Sequence, residues 1–387
     1  MDHVERMRRM FEGGPVDRMV RRPMYYFTQT WERWNREGLP AEVAKGGQAL
    51  GGWPQTLEDI RKFEKYFGFD PDVWMAQPTD LGVCEAPLVP RYEEKVLRLE
   101  GEHEIVQDFI GRVVRYPKGV RDGVMPTYLK HTVASRDEWE RDVRLRLDPA
   151  TPERWGNYAA NVASNRERLA RGEVLHIGSF IGGYMYLRSL VGPLELPVLF
   201  YDDPDLVHAM MRTWRDLVLA CLKRVQADVG PYFRLYLAED ICYKSGPLIS
   251  PDMIRRFLLP YYRDFFEELQ AGQRDPIHFE VDTDGNCLPV VDLYREVGMT
   301  AMSPWEVASG CDVVEAGRRW PDLHIRGGID KRVLAEGPEA IDRTLRYIMP
   351  PMVKRGRYIP NCDHAVPQDV SLANYMYFRK RIQEMDH

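Results

Sequence analysis

The sequence predicts an α/β protein folded as a (β/α)8 TIM barrel. Short β-prone runs alternate with helical stretches along most of the chain, and eight such runs can be counted. Eight is the number of strands in a closed parallel barrel of this type. Acidic, thiol or imidazole side chains also follow four late runs. Because the loops after the strands form the catalytic mouth of such a barrel, these positions predict an enzyme.

A doubly wound open sheet is the alternative architecture, but it would concentrate polar clusters at one switch point instead of placing them after most strands. The predicted strands are residues 22–27, 72–76, 174–178, 233–238, 277–281, 299–302, 323–326 and 358–360. Helices are predicted over residues 56–67, 135–169, 204–229, 251–271 and 338–354.

Two additions to the barrel are predicted in the amino-terminal half. The chain opens with an amphipathic helical extension over residues 1–20, because apolar side chains recur there at helical spacing. Residues 91–117 alternate between polar and apolar side chains around glycines, which predicts an antiparallel meander inserted into the barrel. The whole chain, residues 1–387, is therefore interpreted as one domain.

The composition indicates a globular protein and gives no sign of a nucleic-acid-binding or membrane protein. A hydrophobic share of 44% and a charged share of 29% are typical of a globular domain. The net charge of -6 and the pI near 5.9 give no reason to expect nucleic-acid or anionic-membrane partners. The sequence has no apolar run of the roughly 20 residues that span a bilayer. Six unpatterned cysteines predict free thiols in a reducing compartment, so the expected location is cytoplasmic.

The first candidate site is the segment Asp282-Thr283-Asp284-Gly285, which follows a predicted strand. Residues two apart in an extended segment point the same way, so both carboxylates can converge on one metal or one proton. The spacing of further oxygen ligands does not fit a calcium loop. The alternative interpretation is a capped turn, in which Asp284 accepts hydrogen bonds from backbone amides.

The second candidate is Asn361-Cys362-Asp363-His364, after the last predicted strand. Cysteine and histidine are zinc ligands, histidine also suits acid–base work near neutral pH, and Asp363 could orient its neighbour. Alternatively, one of these side chains caps the next helix while Cys362 packs as a small apolar group.

Carboxylates also follow three further strands. Paired carboxylates such as Glu239 and Asp240 can raise one another's pKa, which would make one of them a general acid. A salt bridge to Lys244 or Arg234 is the competing interpretation of this pair. Glu306 and Asp330 stand at matching places after later strands and could equally be structural hydrogen-bond acceptors.

The chain resembles the uroporphyrinogen decarboxylase superfamily, most strongly in residues 246–251 with Pro260 and in residues 358–375. The resemblance implies a β/α barrel and one of two chemistries. One is cofactor-free decarboxylation of a tetrapyrrole, and the other is zinc-dependent methyl transfer to or from a corrinoid or a thiol. It also implies a homodimer.

The resemblance disfavours a tetrapyrrole substrate. The decarboxylases carry an arginine in the first strand that binds substrate carboxylates, and Thr28 replaces it here while Gln29 is kept. A threonine hydroxyl cannot provide the bidentate recognition that an arginine provides. The closing histidine of the family is matched by His364. The expected substrate-binding residues are Tyr26, Gln29, Asp240 and Asp330.

The methyltransferase branch implies a metal site. Its His-x-Cys-Gly turn falls on residues 282–285 and its late cysteine on Cys362, so the resemblance implies zinc held by Asp282, Asp284 and Cys362. The metal would activate a small methylated substrate, and the methyl group would leave for a thiol or for a corrinoid on a separate partner protein. Proton donors would be Glu239, Glu306 or His364. A cofactor-free decarboxylase or lyase is the second expectation, and a non-catalytic binding barrel is the third.

Overall fold

Parallel strands with helices packed outside them form the body of the molecule, as a computed structural model describes it for residues 1–46, 56–71, 75–121 and 125–387. In these ranges the strands are β1 (Lys95–Glu100), β2 (His103–Gln107), β3 (Val113–Pro117), β4 (Thr127–Lys130), β5 (Ile177–Ile181), β6 (Arg234–Ala238), β7 (Cys242–Tyr243), β8 (Gly246–Pro247), β9 (His278–Asp282), β10 (Met299–Ser303), β11 (His324–Ile329) and β12 (Tyr358–Cys362). The main sheet runs in the order β12-β11-β10-β9-β6-β5 with every pair parallel. Successive strands of this sheet are therefore neighbours, as in a barrel wall.

Helices connect and cover these strands. The α-helices of the described ranges are α1 (His3–Glu12), α2 (Thr28–Arg36), α3 (Ala41–Ala44), α4 (Leu57–Phe67), α5 (Arg136–Glu138), α6 (Tyr158–Ala170), α7 (Gly183–Val191), α8 (Glu195–Asp202), α9 (Pro204–Val229), α10 (Pro251–Phe257), α11 (Leu259–Ala271), α12 (Val291–Arg295), α13 (Val313–Arg319), α14 (Val333–Glu336), α15 (Pro338–Arg355) and α16 (Leu372–Met385). The predicted helix over residues 251–271 is divided at Leu258, because Pro260 cannot donate the backbone hydrogen bond of a continuous helix. The predicted helical region 135–169 is instead a series of short helices.

Two irregular segments take the remaining positions of the barrel wall. Residues 22–27 lie beside β12 and form a single parallel bridge, Tyr26 to Val366, so the strand predicted there is wrong. Pro23 cannot donate to a ladder at its start. On the other side, Leu81 accepts a hydrogen bond from Ile181 of β5 at 3.2 Å. The chain thus folds as the predicted TIM barrel, closed by two segments without a regular ladder. The strand predicted over residues 72–76 begins at residues 72–74, which lie outside the described residues, and Met75 and Ala76 are not in a strand.

The two faces of the barrel strands differ in chemistry. Outward side chains of β6 and β9, such as Leu235 and Phe279, are fully buried against the helices. Inward side chains on the same strands include Arg234 and Glu280, which form a buried ion pair of 2.9 Å. This alternation follows the two-residue period of a strand. The interior of the barrel beside Arg234 and Glu280 is therefore lined by charged side chains rather than by apolar ones.

The amino-terminal extension covers the floor of the barrel. Helix α1 is shorter than predicted, since it ends at Glu12, before Gly13 at φ 77°. Its apolar face packs against the starts of the strands, in a cluster that contains Met7, Phe11, Leu175 and Phe233. The loops that follow the strands lie at the opposite end of the barrel, which we call the mouth.

The inserted meander is also present and is longer than predicted. Strands β1 to β4 form an antiparallel sheet in sequential order, so the insertion continues beyond residue 117 to β4. Among the residues that the structure describes, no helix combines the length and the apolarity needed to cross a membrane.

Candidate active site at the barrel mouth

A histidine–aspartate contact lies at the centre of the mouth. The Nε2 of His364, just after β12, lies 3.3 Å from the Oδ2 of Asp284, just after β9. Both side chains are partly exposed, at 26% and 39%, so a substrate can reach them. Burial alone would lower the pKa of His364, but the hydrogen bond and the charge of Asp284 outweigh it and raise that pKa above its ordinary value. The pair can therefore hold a proton near neutral pH.

Glu306 and Lys331 border this pair. The Oε2 of Glu306 accepts a hydrogen bond from the Gly285 amide at 2.9 Å, and its Oε1 lies 3.4 Å from the Lys331 Nζ. The charge of Glu306 also contributes to the raised pKa of His364. Gly285 is required at its position, since its φ is 78° and a Cβ there would lie 2.6 Å from the Tyr243 backbone. The structure thus places Glu306 at the mouth.

Asp240 lies at the mouth beside Asp284. Its carboxylate accepts hydrogen bonds from Arg188 at 3.1 Å and from the Asp284 amide at 3.3 Å. Burial, and then the neighbouring charge of Asp284, raise the pKa of Asp240. Asp240 also has a positive φ of 40°, which is uncommon for a residue other than glycine and often marks a functional site. Arg188 is the cation that pairs with it, rather than the Lys244 or Arg234 considered in the sequence.

Asp282 lies one level below, at the junction of mouth and interior. It accepts a hydrogen bond from Ser303 and lies 3.4 Å from the Arg326 guanidinium. Burial raises the pKa of Asp282 to about 6, although Arg326 opposes the shift. Sequence reasoning missed Arg326, because a lone arginine inside a predicted strand gives no motif. It also missed Tyr25, which is 40% exposed and lies within the electrostatic reach of Arg326 and Asp282.

Glu239 lies behind the wall and not at the mouth. It is fully buried, and its Oε1 accepts hydrogen bonds from the Tyr262 and Tyr294 hydroxyls, the latter at 2.5 Å. Gly182 makes room for its second oxygen, which a Cβ there would displace. The prediction that Glu239 is a catalytic acid at the mouth is wrong, since alternation along the chain turns Glu239 outward and Asp240 inward.

Glu239 makes the stability of the fold depend on pH. Burial raises its pKa to about 8 from the ordinary 4.5, so ionising it within the folded protein costs free energy. The stabilisation from the protonated form is complete below pH 4.5 and is lost as the pH rises through about 8. We expect a Glu239→Gln variant to lack this loss. Urea midpoints of both proteins between pH 5 and pH 9 measure it, and parallel pH dependences would contradict the assignment.

Cys362 does not join the carboxylates. Its side chain is fully buried, on the same side of β12 as Tyr358 and within the apolar cluster that contains Tyr26 and Tyr375. Burial raises the pKa of the Cys362 thiol well above its ordinary value. A buried, protonated thiol among apolar groups is a poor metal ligand, because the thiolate is the form that binds zinc.

The zinc ligands implied by the resemblance are therefore not brought together. Asp282 is engaged by Ser303 and Arg326, Asp284 by His364, and Cys362 faces away. Across the ranges 1–46, 56–71, 75–121 and 125–387, no three His, Cys, Asp or Glu side chains group closely enough to hold a metal ion. The residues present do not fit the predicted zinc site, and we derive no step through a metal.

The other three predicted substrate-binding residues have different surroundings from Asp240. Tyr26 is fully buried and shares a 2.7 Å hydrogen bond with the Tyr375 hydroxyl. Gln29 is exposed in the first turn of α2. Asp330 forms a two-pronged ion pair with Arg332, two residues along the chain. Asp240 alone of the four lies beside the histidine–aspartate pair. The neighbouring Tyr25 faces the mouth because strand-like alternation turns it opposite to Tyr26.

Asp363 holds the loops of the mouth in place. Its buried carboxylate accepts hydrogen bonds from the amides of Val307 at 2.9 Å and of Lys331 at 3.0 Å. It thereby joins the loops after β10, β11 and β12. The hydroxyl of Thr283 accepts hydrogen bonds from the amides of Ile241 and Cys242, which joins the loop after β9 to the loop after β6. These contacts fix Glu306, Lys331 and Asp284 relative to His364.

We expect Cys362→Ala to lower stability by about 0.5–3 kcal/mol, as core truncations do, and to leave kcat/KM within about threefold of the unsubstituted protein. The physical reason is that Cys362 packs in the apolar layer and does not face the mouth. Cys221→Ala, which truncates a thiol buried in α9, is the matched control. A loss of activity with Cys362→Ala but not with Cys221→Ala would contradict this placement and show that Cys362 acts in the site.

Comparisons with known proteins identify the family. The family profile described as uroporphyrinogen decarboxylase (URO-D) matches residues 108–385, more than half of the chain. The uroporphyrinogen decarboxylase of Rhodococcus erythropolis is 31% identical over 152 residues, and that of Xanthomonas axonopodis pv. citri is 26% identical over 150 residues. The chain covers 39% of the length of each of these relatives, in alignments over 39% and 38% of its own length.

The fold has a relative among solved structures. A methyltransferase from Methanosarcina mazei superposes with a TM-score of 0.59 at 15% identity and covers 99% of both chains. At this level of identity the likeness shows a shared fold, and it extends over both additions to the barrel. On the evidence of the profile, the chain belongs to the uroporphyrinogen decarboxylase family.

Proposed function

We propose that this chain is a methyltransferase that takes a methyl group from a small methoxylated substrate and uses protonated His364 as its general acid. The single observation that carries the proposal is the 3.3 Å contact between His364 and Asp284 at the open mouth. A positioned proton donor of this kind contributes about 10²–10⁴-fold to a rate. The methyltransferase from Methanosarcina mazei has the same fold over 99% of both chains, which supports the choice of reaction.

The proton has a defined route. Asp284 engages the Nε2 of His364, so in the imidazolium form the Nδ1–H is the bond that can donate to a substrate. When the bond between the methyl carbon and the ether oxygen breaks, its electron pair stays on the oxygen. That oxygen takes the proton from His364, and the acceptor supplies the electron pair of its new bond to the methyl carbon, a thiol reacting as its thiolate. The acceptor would be a thiol or a reduced corrinoid on a separate protein, approaching over the mouth.

Cations at the mouth offer contacts to the rest of the substrate. Arg188 and Lys331 are partly exposed there, with side chains 27% and 23% exposed, and Arg326 lies below them at 15%. Each of these cations is paired with a carboxylate of the protein. A carboxylate or phenolate of the substrate would bind to the same cations. Methoxylated aromatic acids therefore suit this mouth, with Tyr25 as an aromatic contact.

The test follows the methyl carbon. Methoxybenzoates and other small methyl ethers, labelled with ¹³C in the methyl group, are incubated with the protein and either cob(I)alamin or a thiol, and ¹³C NMR follows the label. We expect methylated acceptor and demethylated donor to form together with the unsubstituted protein and to be lost with His364→Gln. Label that stays on every donor with both acceptors would contradict methyl transfer.

Decarboxylation of a small carboxylic acid is the second candidate. The curated relatives named uroporphyrinogen decarboxylases favour it, as does the placement of Arg326 and Arg188 near a proton donor. Loss of CO₂ would leave an electron pair on carbon, which would take the proton from His364. Release of ¹³CO₂ from carboxyl-labelled acids, without any methyl acceptor, distinguishes this reaction from methyl transfer.

A further inference from the structure

Two buried thiols lie almost in contact beneath the mouth. The Sγ atoms of Cys287 and Cys311 are 3.7 Å apart, and the residues are 0% and 1% exposed. Cys242, another buried cysteine, belongs to the short strand β7. A separation of 3.7 Å is van der Waals contact, so the two sulfurs need only a small movement to bond.

The pair belongs to the loops that carry Asp284 and Glu306, which lie next to the proposed proton donor His364. Cys287 follows Asp284 by three residues, and the Cys311 Sγ lies 3.5 Å from the carbonyl oxygen of Gly285. The amide of Cys311 donates to the carbonyl oxygen of Glu306 at 3.3 Å. A covalent bond between the two sulfurs would therefore join the loop after β9 to the loop after β10.

The two thiols differ in acidity. The hydrogen bond from Cys287 lowers the pKa of Cys311, and the same contact raises the pKa of Cys287. Cys311 is therefore the more acidic of the two sulfurs, and the thiolate is the form that reacts with oxidants. It follows Gly310, which is exposed.

We propose that Cys287 and Cys311 form a redox-modification site, which hydrogen peroxide converts into a disulfide. The Cys311 thiolate attacks one peroxide oxygen, the O–O bond breaks, and the sulfur is oxidised to a sulfenic acid while the other oxygen leaves and is protonated to water. The Cys287 sulfur then attacks the sulfenic sulfur and releases a second water. Overall, two thiols and one peroxide give one disulfide and two waters.

The bond would change the geometry of the mouth. A disulfide sulfur–sulfur distance is about 2.05 Å, so the sulfurs must approach by about 1.6 Å from 3.7 Å. This movement would also shift Gly285 and Glu306, which contact Cys311. Asp284 precedes Gly285 and would shift with it, which would change its 3.3 Å contact with His364. A shift of this size can cost a catalytic constellation about 10²-fold. This loss of activity rests on the proposed function, whereas formation of the disulfide does not.

The experiment treats the reduced, full-length protein with one to ten equivalents of hydrogen peroxide, blocks free thiols with N-ethylmaleimide, and maps peptides without reduction. We expect a Cys287–Cys311 linked peptide pair, two hydrogens lighter than its reduced parts, that dithiothreitol separates. Circular dichroism confirms that the protein stays folded. Cys287→Ala and Cys311→Ala should each abolish the pair, and Cys221→Ala, a buried cysteine in α9, should retain it.

Two results would overturn the proposal. One is that Cys287 and Cys311 both stay free while exposed Cys84 is oxidised. The other is that the first bridge joins either of them to Cys242. If the disulfide forms but the NMR chemical shifts of His364 are the same in the reduced and the oxidised protein, the modification site is supported and its effect on the mouth is contradicted. This measurement needs no substrate, so it does not depend on whether the proposed methyl transfer is found.

Discussion

Replacing His364 by glutamine is expected to lower kcat by about 10²–10⁴-fold, the usual contribution of a general acid. Glutamine keeps a hydrogen-bond donor for Asp284 but cannot carry the proton that the leaving atom needs. Because the pKa of His364 is raised, the protonated and active form dominates at low pH. Activity should therefore fall as the pH rises through that raised pKa, and the pH profile of kcat measures it.

Two variants control this prediction. Asp284→Asn removes the charge that stabilises the imidazolium, so it should move the fall in activity to lower pH as well as reduce kcat. Lys331→Met removes a like charge near His364 and should move the fall to higher pH. An activity in His364→Gln within threefold of the unsubstituted protein, with an unchanged pH profile, would contradict the assignment.

Replacing Glu280 by glutamine is expected to lower the free energy of unfolding by about 3–5 kcal/mol, as breaking a buried ion pair does. Glu280 is 1% exposed and lies between two arginines, with 2.9 Å to Arg234 and 3.2 Å to Arg326. Its Oε1 also accepts a hydrogen bond from Ser303 at 3.0 Å. Glutamine preserves the shape but removes the negative charge that lies between Arg234 and Arg326, so that Asp282 is the carboxylate left beside Arg326.

The measurement is the urea midpoint of the variant, with Glu268→Gln as the matched control. Glu268 pairs with Lys223 on the surface, where both side chains are nearly half exposed, so its loss should cost at most about 1 kcal/mol. The pKa of Glu280 is lowered: burial raises it, but the charges of Arg326, Arg234 and Arg22 and the hydrogen bond from Ser303 outweigh burial. Its stabilisation is thus present above its ordinary pKa of 4.5 and is lost as the pH falls below that value. Equal effects of both variants would contradict the buried network.

The fold could be predicted because its strongest signals are local. Helix α9 begins and ends at the predicted residues, since Pro204 starts it and Gly230 follows it. Each of the six strands of the main sheet overlaps a predicted strand. The two wall segments near residues 25 and 80 could not be predicted as irregular, because hydrogen bonds to Val366 and Ile181 from distant parts of the chain decide their geometry.

For the candidate site, the sequence predicts the end of the barrel at which it lies but not which side chains face it. Positions after strands predict residues at the mouth, and the structure brings Asp284, Glu306 and His364 close together there. The direction of each side chain was harder to infer, because a step of one residue moves a side chain from one face to the other. Glu239 and Cys362 point into the helical layer for this reason, whereas Asp240 and Tyr25 face the mouth.

The pKa of His364, measured by NMR titration of its ring protons and assigned with His364→Gln, decides whether this residue is the proton donor. We expect a pKa above the ordinary 6.5 in the unsubstituted protein and a lower value in Asp284→Asn. A value at or below 6.5, or one that Asp284→Asn leaves unchanged, would contradict the histidine–aspartate pair as the proton donor of the mouth.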